Sequence, residues 1–494
     1  MCSIIGSDMN RQFPRDSSFP YSAISSFILM TKGVLFGRMP PMLREKVMQI
    51  KKNETLHPLL KVAIPVMMAN GAETIYNLTD SWFLGQLGPR EVSAPSIAFN
   101  LIMLIILAGL GISAAGSTLI SRAIGQSDRK KAEFFLGQVC SLLILTSLVI
   151  AVVGWFLAGP FLRAVQTPPD LYGLTVEYLR IICLGVPFMY GFFSLQSAME
   201  GTGNTAASLR IQLLAVAVNI PLDAILIFGV GSIPSLGVRG AALATVLSRG
   251  VAAISAFVIL LRGHQGIRLN LPNLRFDSVA LRLLLKVAVP SSLSQMASTL
   301  GFTVLQGLVN SFGTAVIAAF GIVNRIHALF YMPVQGLARG SATLVGQSLG
   351  AEEPLRARKT VTTGVVLALM YIIPGMIFCY YYGAHFIRFF VNDPGVIKEG
   401  SQLFRIMSPS VIVFAVFMIL AGAFQGAGDT RSLMMMHVGR LWVFRLPLAW
   451  LLAFPLGLGI RGIWYAMVFS NLMITFIGIL RFKSGRWVHA LKGV

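Results

Sequence analysis

Two pairs of side chains in this sequence combine an acid with a polar neighbour at helical spacing. Tyr76 and Asp80 are four residues apart, as are Asn219 and Asp223, so each pair lies on one face of a helix. Glu73 lies one further turn along the face of Tyr76 and Asp80. All three acids fall in long apolar stretches, where an ionised carboxylate is costly. Such a carboxyl group is expected to be protonated, to be paired or to bind a cation, unless it is buried only for packing.

These acids belong to a chain that is far too apolar for a soluble enzyme. Of its 494 residues, 55% are hydrophobic and 12% are charged, and the mean hydropathy is +0.75, whereas soluble proteins carry about 25% charged residues. Apolar runs long enough to cross ~30 Å of hydrocarbon as helices recur about twelve times. The sequence therefore predicts an all-α membrane protein with spans near 58–85, 92–120, 132–158, 176–199, 205–230, 238–262, 283–310, 315–345, 359–384, 401–424, 431–456 and 460–481.

The chain contains an internal sequence repeat. Residues 59–65 read LLKVAIP and residues 284–290 read LLKVAVP, and the same displacement carries Gly125 to Gly350. Each repeat holds an even number of spans, so both enter the membrane from the same side. Parallel repeats related by an axis along the membrane normal are typical of secondary transporters, whose substrate site lies between the halves. We predict two six-helix lobes, residues 58–262 and 283–481.

The basic residues predict the orientation of these lobes. Lys and Arg number 40 against 19 Asp and Glu, which gives a net charge of +21. They concentrate in a tail at 1–57, a linker at 263–282, a tail at 482–494 and the turns on the same side, which is the positive-inside pattern. We therefore expect a multi-pass protein of the cell (inner) membrane with both termini in the cytoplasm. Membrane orientation accounts for the net positive charge. We therefore expect membrane lipids as partners and expect no nucleic acid.

Several short motifs, in order and at the repeat spacing, resemble the MATE (multidrug and toxic compound extrusion) family over residues 58 to 481. They are YNLTD at 76–80 and GQLG at 85–88 in span 1, GSATLVGQ at 340–347 in span 8, and EGTGNT at 200–205 with its echo QGAGDT at 425–430. Within the family the sequence looks most like the DinF-type branch. That resemblance implies a cation site in the first lobe formed by Asp80, Tyr76, Asn219, Asp223 and Thr245.

The second repeat lacks the acids of the first. The places of Glu73, Asp80, Asn219 and Asp223 are taken by Ser298, Leu305, Arg445 and Ala449. A symmetric structural role would have kept the acidic pair in both lobes, so the asymmetry favours a functional one. Loss of hydration and mutual repulsion would favour the protonated form of at least one aspartate.

Other residues admit two readings. Glu73 is either a third proton-sharing group or part of a polar cavity wall, and the Thr245 hydroxyl is either a cation ligand or bonded back to its own helix. Pro65 weakens span 1 locally and is expected to permit bending, in the family manner. For Arg325, Arg339 and Arg440, snorkelling or bonding to backbone carbonyls is expected ahead of substrate contact.

The function expected from these observations is a monomeric secondary antiporter that exports amphiphilic or cationic organic compounds in exchange for H⁺ or Na⁺. A flippase for lipid-linked sugars is the alternative that remains open because of four basic residues, Arg325, Arg339, Arg440 and Arg445. A membrane scaffold or receptor without transport would leave Asp80 and Asp223 without a purpose. No catalytic or nucleotide-binding pattern occurs, so we expect neither an enzyme nor a cofactor besides the coupling ion. His327 and His437 are isolated, so no metal site beyond Na⁺ is expected.

Overall fold

The computed structural model describes residues 55–231, 234–263 and 266–491, so most of the predicted N-terminal tail lies outside the described residues. The described chain is helical throughout its length. The first half contains α1 Leu56–Leu87, α2 Pro89–Gly125, α3 Arg129–Ala164, α4 Pro169–Thr202, α5 Ala206–Phe228 and α6 Gly237–Arg262. The second half contains α7 Ser278–Asn310, α8 Thr314–Gly350, α9 Pro354–Phe390, α10 Pro394–Ala427, α11 Thr430–Val438, α12 Leu446–Ala453 and α13 Ile460–Lys483.

Twelve passes in two lobes are confirmed, although the eleventh is interrupted. A π-helical segment, Gly439–Arg445, joins α11 to α12. Within the described residues, nine helices are long and apolar enough to cross a membrane by length and composition. The other three passes are α1, α7 and the interrupted helix, and α1 is the one that carries Glu73 and Asp80. Two candidate-site residues, Glu73 and Asp80, are therefore among the polar residues that lower the hydropathy of α1.

The helix ends follow from local sequence and are repeated in the two lobes. Asp277 and Asp393 accept backbone N–H groups at the starts of α7 and α10, as expected for N-cap residues. Gly203 and Gly428, related by the repeat, end α4 and α10 in the left-handed region at φ 81° and 77°, where glycine avoids the steric cost of a Cβ. The second glycine of each motif, EGTGNT and QGAGDT, therefore serves to end a helix.

The segments at the borders of the lobes are ordered by packing. A short 3₁₀ helix, Leu271–Leu274, lies in the predicted linker, and Gln138 of α3 donates to the Asn273 carbonyl at 2.9 Å and to the Arg275 carbonyl at 2.7 Å. A second 3₁₀ helix, Arg486–His489, follows α13 and buries Trp487 completely. The linker therefore packs against α3 of the first lobe, and the C-terminal segment packs against α10 and α13.

Helices α1 and α7 change partners along their lengths. Leu59 and Ala63, near the start of α1, lie in the hydrophobic core of the second lobe, whereas Phe83 and Leu84 pack with residues of the first lobe. The repeat mate α7 does the reverse: Leu284 lies in the first-lobe core, and its later residues lie in the second-lobe core. The two helices thus cross between the lobes and connect them mechanically.

The lobes meet closely at the end of the bundle where α1, α3 and α5 begin, which we call the basic end. A Cβ built on Gly125 of α2 would lie 2.0 Å from the Gln347 carbonyl oxygen, and one on Gly350 of α8 would lie 2.1 Å from that of Arg122. These four residues form two repeat-related pairs. The close approach of α2 and α8 is therefore symmetric, and only glycine fits at the crossing.

Hydrogen bonds across the basic end obey the same symmetry. The Thr118 hydroxyl of α2 donates to the Gln425 carbonyl at 3.0 Å, and the Thr343 hydroxyl of α8 donates to the Glu200 carbonyl at 2.9 Å. In addition, the Arg339 guanidinium of the second lobe pairs with the Glu200 carboxylate of the first at 2.7 Å. The conformation described is closed between the lobes at the basic end.

Candidate functional site

Helices α1, α5 and α6 bring the predicted first-lobe residues together. The i, i+4 faces of α1 and α5 turn toward each other, so Tyr76, Asn219 and Asp223 are almost fully removed from the surface. The carboxyl groups of Asp80 and Asp223 lie close enough to interact directly, and Asn219 is a further neighbour of Asp223. The grouping inferred from the family resemblance therefore exists as a three-dimensional cluster, which we call the aspartate cluster (Tyr76, Asp80, Asn219, Asp223, Thr245).

Several buried polar atoms of the aspartate cluster make no hydrogen bond within the described structure. They are Asp80 Oδ1, both carboxylate oxygens of Asp223, and the side-chain oxygen and nitrogen of Asn219. Buried polar groups are normally satisfied, and leaving one without a partner costs about 1–3 kcal/mol. The oxygens are hard donors of the type that binds H⁺ or an alkali cation, which is the chemistry that the arrangement can perform.

Thr245 and Tyr76 complete the wall of this cluster. The Thr245 hydroxyl donates to Asp80 Oδ2 at 3.4 Å, so of its two readings the structure places it toward the acid. The Tyr76 hydroxyl and the Ser248 hydroxyl lie 3.2 Å apart and share a hydrogen bond. Because α6 supplies both Thr245 and Ser248, the cluster draws on three helices of one lobe.

Glu73 has a partner that the sequence analysis missed. Arg249 of α6 donates to the two carboxylate oxygens of Glu73 at 2.7 and 2.9 Å, and Gln212 of α5 donates to Glu73 Oε2 at 2.6 Å. The Arg249 guanidinium also lies over the Tyr76 ring, 4.8 Å from its centroid. The available signal was a lone arginine in the middle of span 6. Without the fold, nothing in the sequence assigned it to Glu73.

We expect Glu73→Gln to lower the free energy of unfolding by about 1–2 kcal/mol. The Arg249 side chain is only 12% exposed and would lose its carboxylate partner, and hydrogen bonds to charged groups contribute about 1.5–3 kcal/mol. The expected effect lies at and below the lower end of that range because the Glu73 side chain is 40% exposed. The apparent unfolding temperature of the purified protein in detergent measures the effect.

Glu177→Gln is the matched control for that measurement. Glu177 pairs with Arg239 in the same lobe, but both side chains are largely exposed, and such surface pairs contribute little. Equal shifts in unfolding temperature for the two variants would show that the pair of Glu73 and Arg249 stabilises the fold no more than an exposed ion pair does.

Two cavities lie beside these residues. The first-lobe cavity, of about 190 Å³, is bounded by Pro65, Asn70 and Glu73 of α1 together with residues of α2, α4, α5 and α6. The second-lobe cavity, of about 420 Å³, is bounded by α2, α7, α8, α10 and α11 with the start of the π segment. Arg339 touches both cavities. A cavity therefore lies on either side of the interface.

The arginines of the second lobe divide into two groups. Arg325 is exposed, as the snorkelling expectation has it. Arg339 and Arg440 instead turn inward and bound the second-lobe cavity, and Arg445 is buried at 3% exposure. Of the two alternatives expected for these arginines, snorkelling therefore does not describe Arg339 or Arg440. Hydrogen-bonding and aromatic partners, among them Glu200 of the first lobe, hold them there, and sequence alone could not place these partners.

Metal chemistry finds little support elsewhere in the described part of the chain. There, no group of three or more His, Cys, Asp or Glu side chains could hold a metal ion. Cys140, Cys183 and Cys379 are free and buried. The aspartate cluster remains the place where the donor atoms suit a monovalent cation, since it offers carboxylate and amide oxygens in a buried setting.

Known proteins match this chain over nearly its whole helical region. The chain is 25% identical over 444 residues to the probable multidrug resistance protein YpnP of Bacillus subtilis, which covers 90% of this chain and 98% of that protein. It is 27% identical over 431 residues to the probable multidrug resistance protein YoeA of the same organism, covering 85% and 92%. The solved crystal structure of MATE in the bent conformation superposes with a TM-score of 0.82 at 22% identity, covering 89% and 97% of the two chains. That likeness supports the twelve-helix, two-lobe fold.

The MatE family model matches twice, at residues 65–225 and 290–451. The two matches begin at Pro65 and Pro290, which the repeat relates, so the duplication inferred from the sequence is also a duplication of the family unit. Together they cover more than half of the chain. The chain therefore belongs to the MatE family and is a multi-pass membrane transporter.

Proposed function

We propose that this protein is a secondary antiporter of the DinF-like branch that exports amphiphilic or cationic organic compounds in exchange for H⁺ or Na⁺. The observation that carries the proposal is the aspartate cluster, whose buried oxygens lack hydrogen-bond partners within the described structure. The equivalent place in the second lobe holds Ala449 and Arg445. A site for a coupling ion needs such acids in one lobe only, whereas a packing role would have been duplicated. The multidrug resistance names of the relatives support organic compounds as cargo.

Helix α1 provides the route by which ion binding can affect the cargo. Its residues Tyr76 and Asp80 belong to the aspartate cluster, and its residues Pro65, Asn70 and Glu73 bound the first-lobe cavity. A proton or Na⁺ that binds at Asp80 changes the charge beside this helix and so changes the preferred position of the cavity wall. Ion and cargo do not need to touch, because coupling requires only that each binds the two states of the lobe unequally.

An exchange of ion gradients in proteoliposomes tests this function. Purified protein is reconstituted with a fluorescent organic cation at a lower concentration inside than outside, and efflux is followed with an inward H⁺ gradient, an inward Na⁺ gradient, both or neither. We expect efflux against the dye gradient with at least one of the ions. A flippase for lipid-linked sugars would leave the dye at its leak rate under every gradient, and that result would contradict the proposal.

Pro65 is proposed to let α1 bend when the aspartate cluster changes charge. It lies within the continuous helix α1 and bounds the first-lobe cavity, and a proline leaves the carbonyl one turn earlier without its helical donor. We expect Pro65→Ala to reduce ion-driven efflux severalfold while expression and the unfolding temperature stay nearly unchanged. Pro160→Ala in α3 is the control for replacing an intrahelical proline, since Pro160 bounds neither cavity and lies outside the aspartate cluster. Wild-type efflux by Pro65→Ala would remove bending from the mechanism.

The basic end is proposed to face the cytoplasm. The Lys and Arg residues of the connections, such as Arg129, Lys130 and Lys131, lie there, and positively charged loops are retained inside. Reporter tags inserted in 266–270 and after the C-terminus should both report a cytoplasmic position in intact cells, and a tag in 391–393 should report the opposite side. An external signal from either of the first two tags would overturn the orientation.

A further inference from the structure

The π segment of the second lobe contains two inward-facing guanidinium groups, that of Arg445, which is buried, and that of Arg440, which is half-buried. Arg445 donates to Asn471 Oδ1 at 2.6 Å and to the Ser470 hydroxyl at 2.8 Å, and Arg440 donates to the same Asn471 oxygen at 3.4 Å. One neutral amide oxygen thus serves two cations. The Nε atom of Arg440 is buried and has no hydrogen-bond partner among the described residues.

No carboxylate of the second repeat can neutralise these two arginines. The acids that follow α7 in the sequence are Glu352, Glu353, Asp393, Glu399 and Asp429. Four of them lie in the turns between helices and Glu399 is the sixth residue of α10, and Asp429 is already paired with Arg481 at 2.8 Å. The first lobe differs, because its buried Arg249 is paired with Glu73. An unpaired buried charge is costly and normally has a partner of opposite sign.

Arg440 also bounds the second-lobe cavity of about 420 Å³. Its guanidinium lies 4.4 Å from the centroid of the Phe414 ring, and Phe417 and Met418 continue the apolar wall. Arg339 reaches the same cavity, but Glu200 already neutralises it. His437 faces the cavity beside Arg440 with Ser298 3.4 Å from its Nδ1. The charge that remains uncompensated at the cavity is therefore that of Arg440.

We propose that the second-lobe cavity binds an organic anion, with a carboxylate, sulfonate or phosphate group facing Arg440 and an apolar body against Phe417 and Met418. The proposal rests on the proposed transport function and adds a substrate class to it. The aspartate cluster takes the coupling ion in the first lobe, and the second lobe offers positive charge to the cargo. A soluble amphiphilic anion suits a cavity of this size and lining, since arginine binds such groups through charge-assisted hydrogen bonds.

Three probes with the same aromatic body test the proposal: naphthalene-2-sulfonate, the neutral naphthalene-2-sulfonamide and the cationic 2-naphthylmethylammonium. Their binding to the full-length protein in nanodiscs of zwitterionic lipid is measured by calorimetry. We expect the sulfonate to bind at least about tenfold more tightly than the sulfonamide, and Arg440→Gln to remove that preference. Arg440→Lys keeps the positive charge and should retain part of the preference, which shows that the charge is responsible.

Arg325→Gln is the matched control, because it removes an arginine from the same lobe that is exposed and lies outside the cavity. It should bind all three probes as the wild type does. Wild-type protein without a sulfonate preference, or an Arg440→Gln variant that folds normally and keeps the preference, would overturn the proposal. The unfolding temperature of each variant separates loss of binding from loss of the fold.

A second arm identifies the source of the anion. If anionic phosphatidylglycerol in the nanodisc competes with the sulfonate, the cavity takes lipid headgroups, and the assignment to a soluble compound is overturned. We expect no competition. Ion-driven dye efflux is measured on the same purified protein after reconstitution in proteoliposomes, so a failure of transport and a failure of anion binding are seen separately.

Discussion

Asp80→Asn and Asp223→Asn should each reduce ion-driven efflux to the leak rate of protein-free liposomes. Each substitution preserves the size of the side chain but removes the carboxylate that binds a proton or contributes charge to a Na⁺ site. The two carboxyl groups are neighbours, and several buried oxygens of the aspartate cluster have no hydrogen-bond partner among the described residues. We therefore expect both carboxylates to be required for ion binding. Without differential binding of the ion to the two states, no gradient can drive the cargo.

The measurement is dye efflux from proteoliposomes under an imposed H⁺ or Na⁺ gradient. Glu177→Gln removes an exposed carboxylate from the same lobe and is expected to export normally. Equilibrium binding of the dye without a gradient should survive in both aspartate variants, which distinguishes lost coupling from lost binding. Continued export against a gradient by both aspartate variants would place the coupling site elsewhere, at Glu73 or in the second lobe.

Gly350→Ala and Gly125→Ala should each prevent the lobes from closing at the basic end. An added Cβ would lie 2.1 or 2.0 Å from a carbonyl oxygen of the opposite lobe, so the backbones must separate. Overpacking of this kind costs about 1–3 kcal/mol or more. This cost falls on the state that is closed at the basic end, so it reduces the population of that state about 5- to 150-fold. Efflux should slow by a similar factor.

Distances between spin labels report the closure directly. Labels on Lys130 and Arg356, which are exposed on opposite lobes at the basic end, should move apart in either glycine variant. Cys2 is replaced by Ser for this experiment, and the other cysteines, Cys140, Cys183 and Cys379, are buried. Gly307→Ala is the matched control, since a Cβ on this helical glycine meets nothing within 4 Å. Unchanged distances in Gly350→Ala would show that the crossing does not control closure.

The architecture was largely predictable because its causes are periodic. Apolar runs of sufficient length become membrane helices. LLKVAIP recurs as LLKVAVP, and glycines recur at the same displacement, so the two lobes have the same fold. The ends of the helices were less predictable. Helix α4 begins at Pro169 and α7 at Ser278, several residues before the apolar runs, because N-terminal turns are held by caps and prolines and not by hydropathy.

The site was predictable where its members lie on one helix. The spacing of Asn219 and Asp223 places this pair on one helical face, and the same holds for Tyr76 and Asp80. The family resemblance predicted that the two faces form one cation site. Partners on different helices were not predictable in this way. Arg249 lies 176 residues from Glu73, and no periodicity relates positions so far apart.

The sequence by itself determined the twelve passes, the parallel duplication and the presence of buried acids in the first repeat alone, since each follows from composition or local spacing. Only the tertiary structure decided which lobe each half of α1 and α7 packs against, and that Arg440 turns inward to a cavity. The reason is physical. In an apolar environment a charged side chain is placed by the partners within its reach, and helix packing brings those partners together from distant parts of the chain.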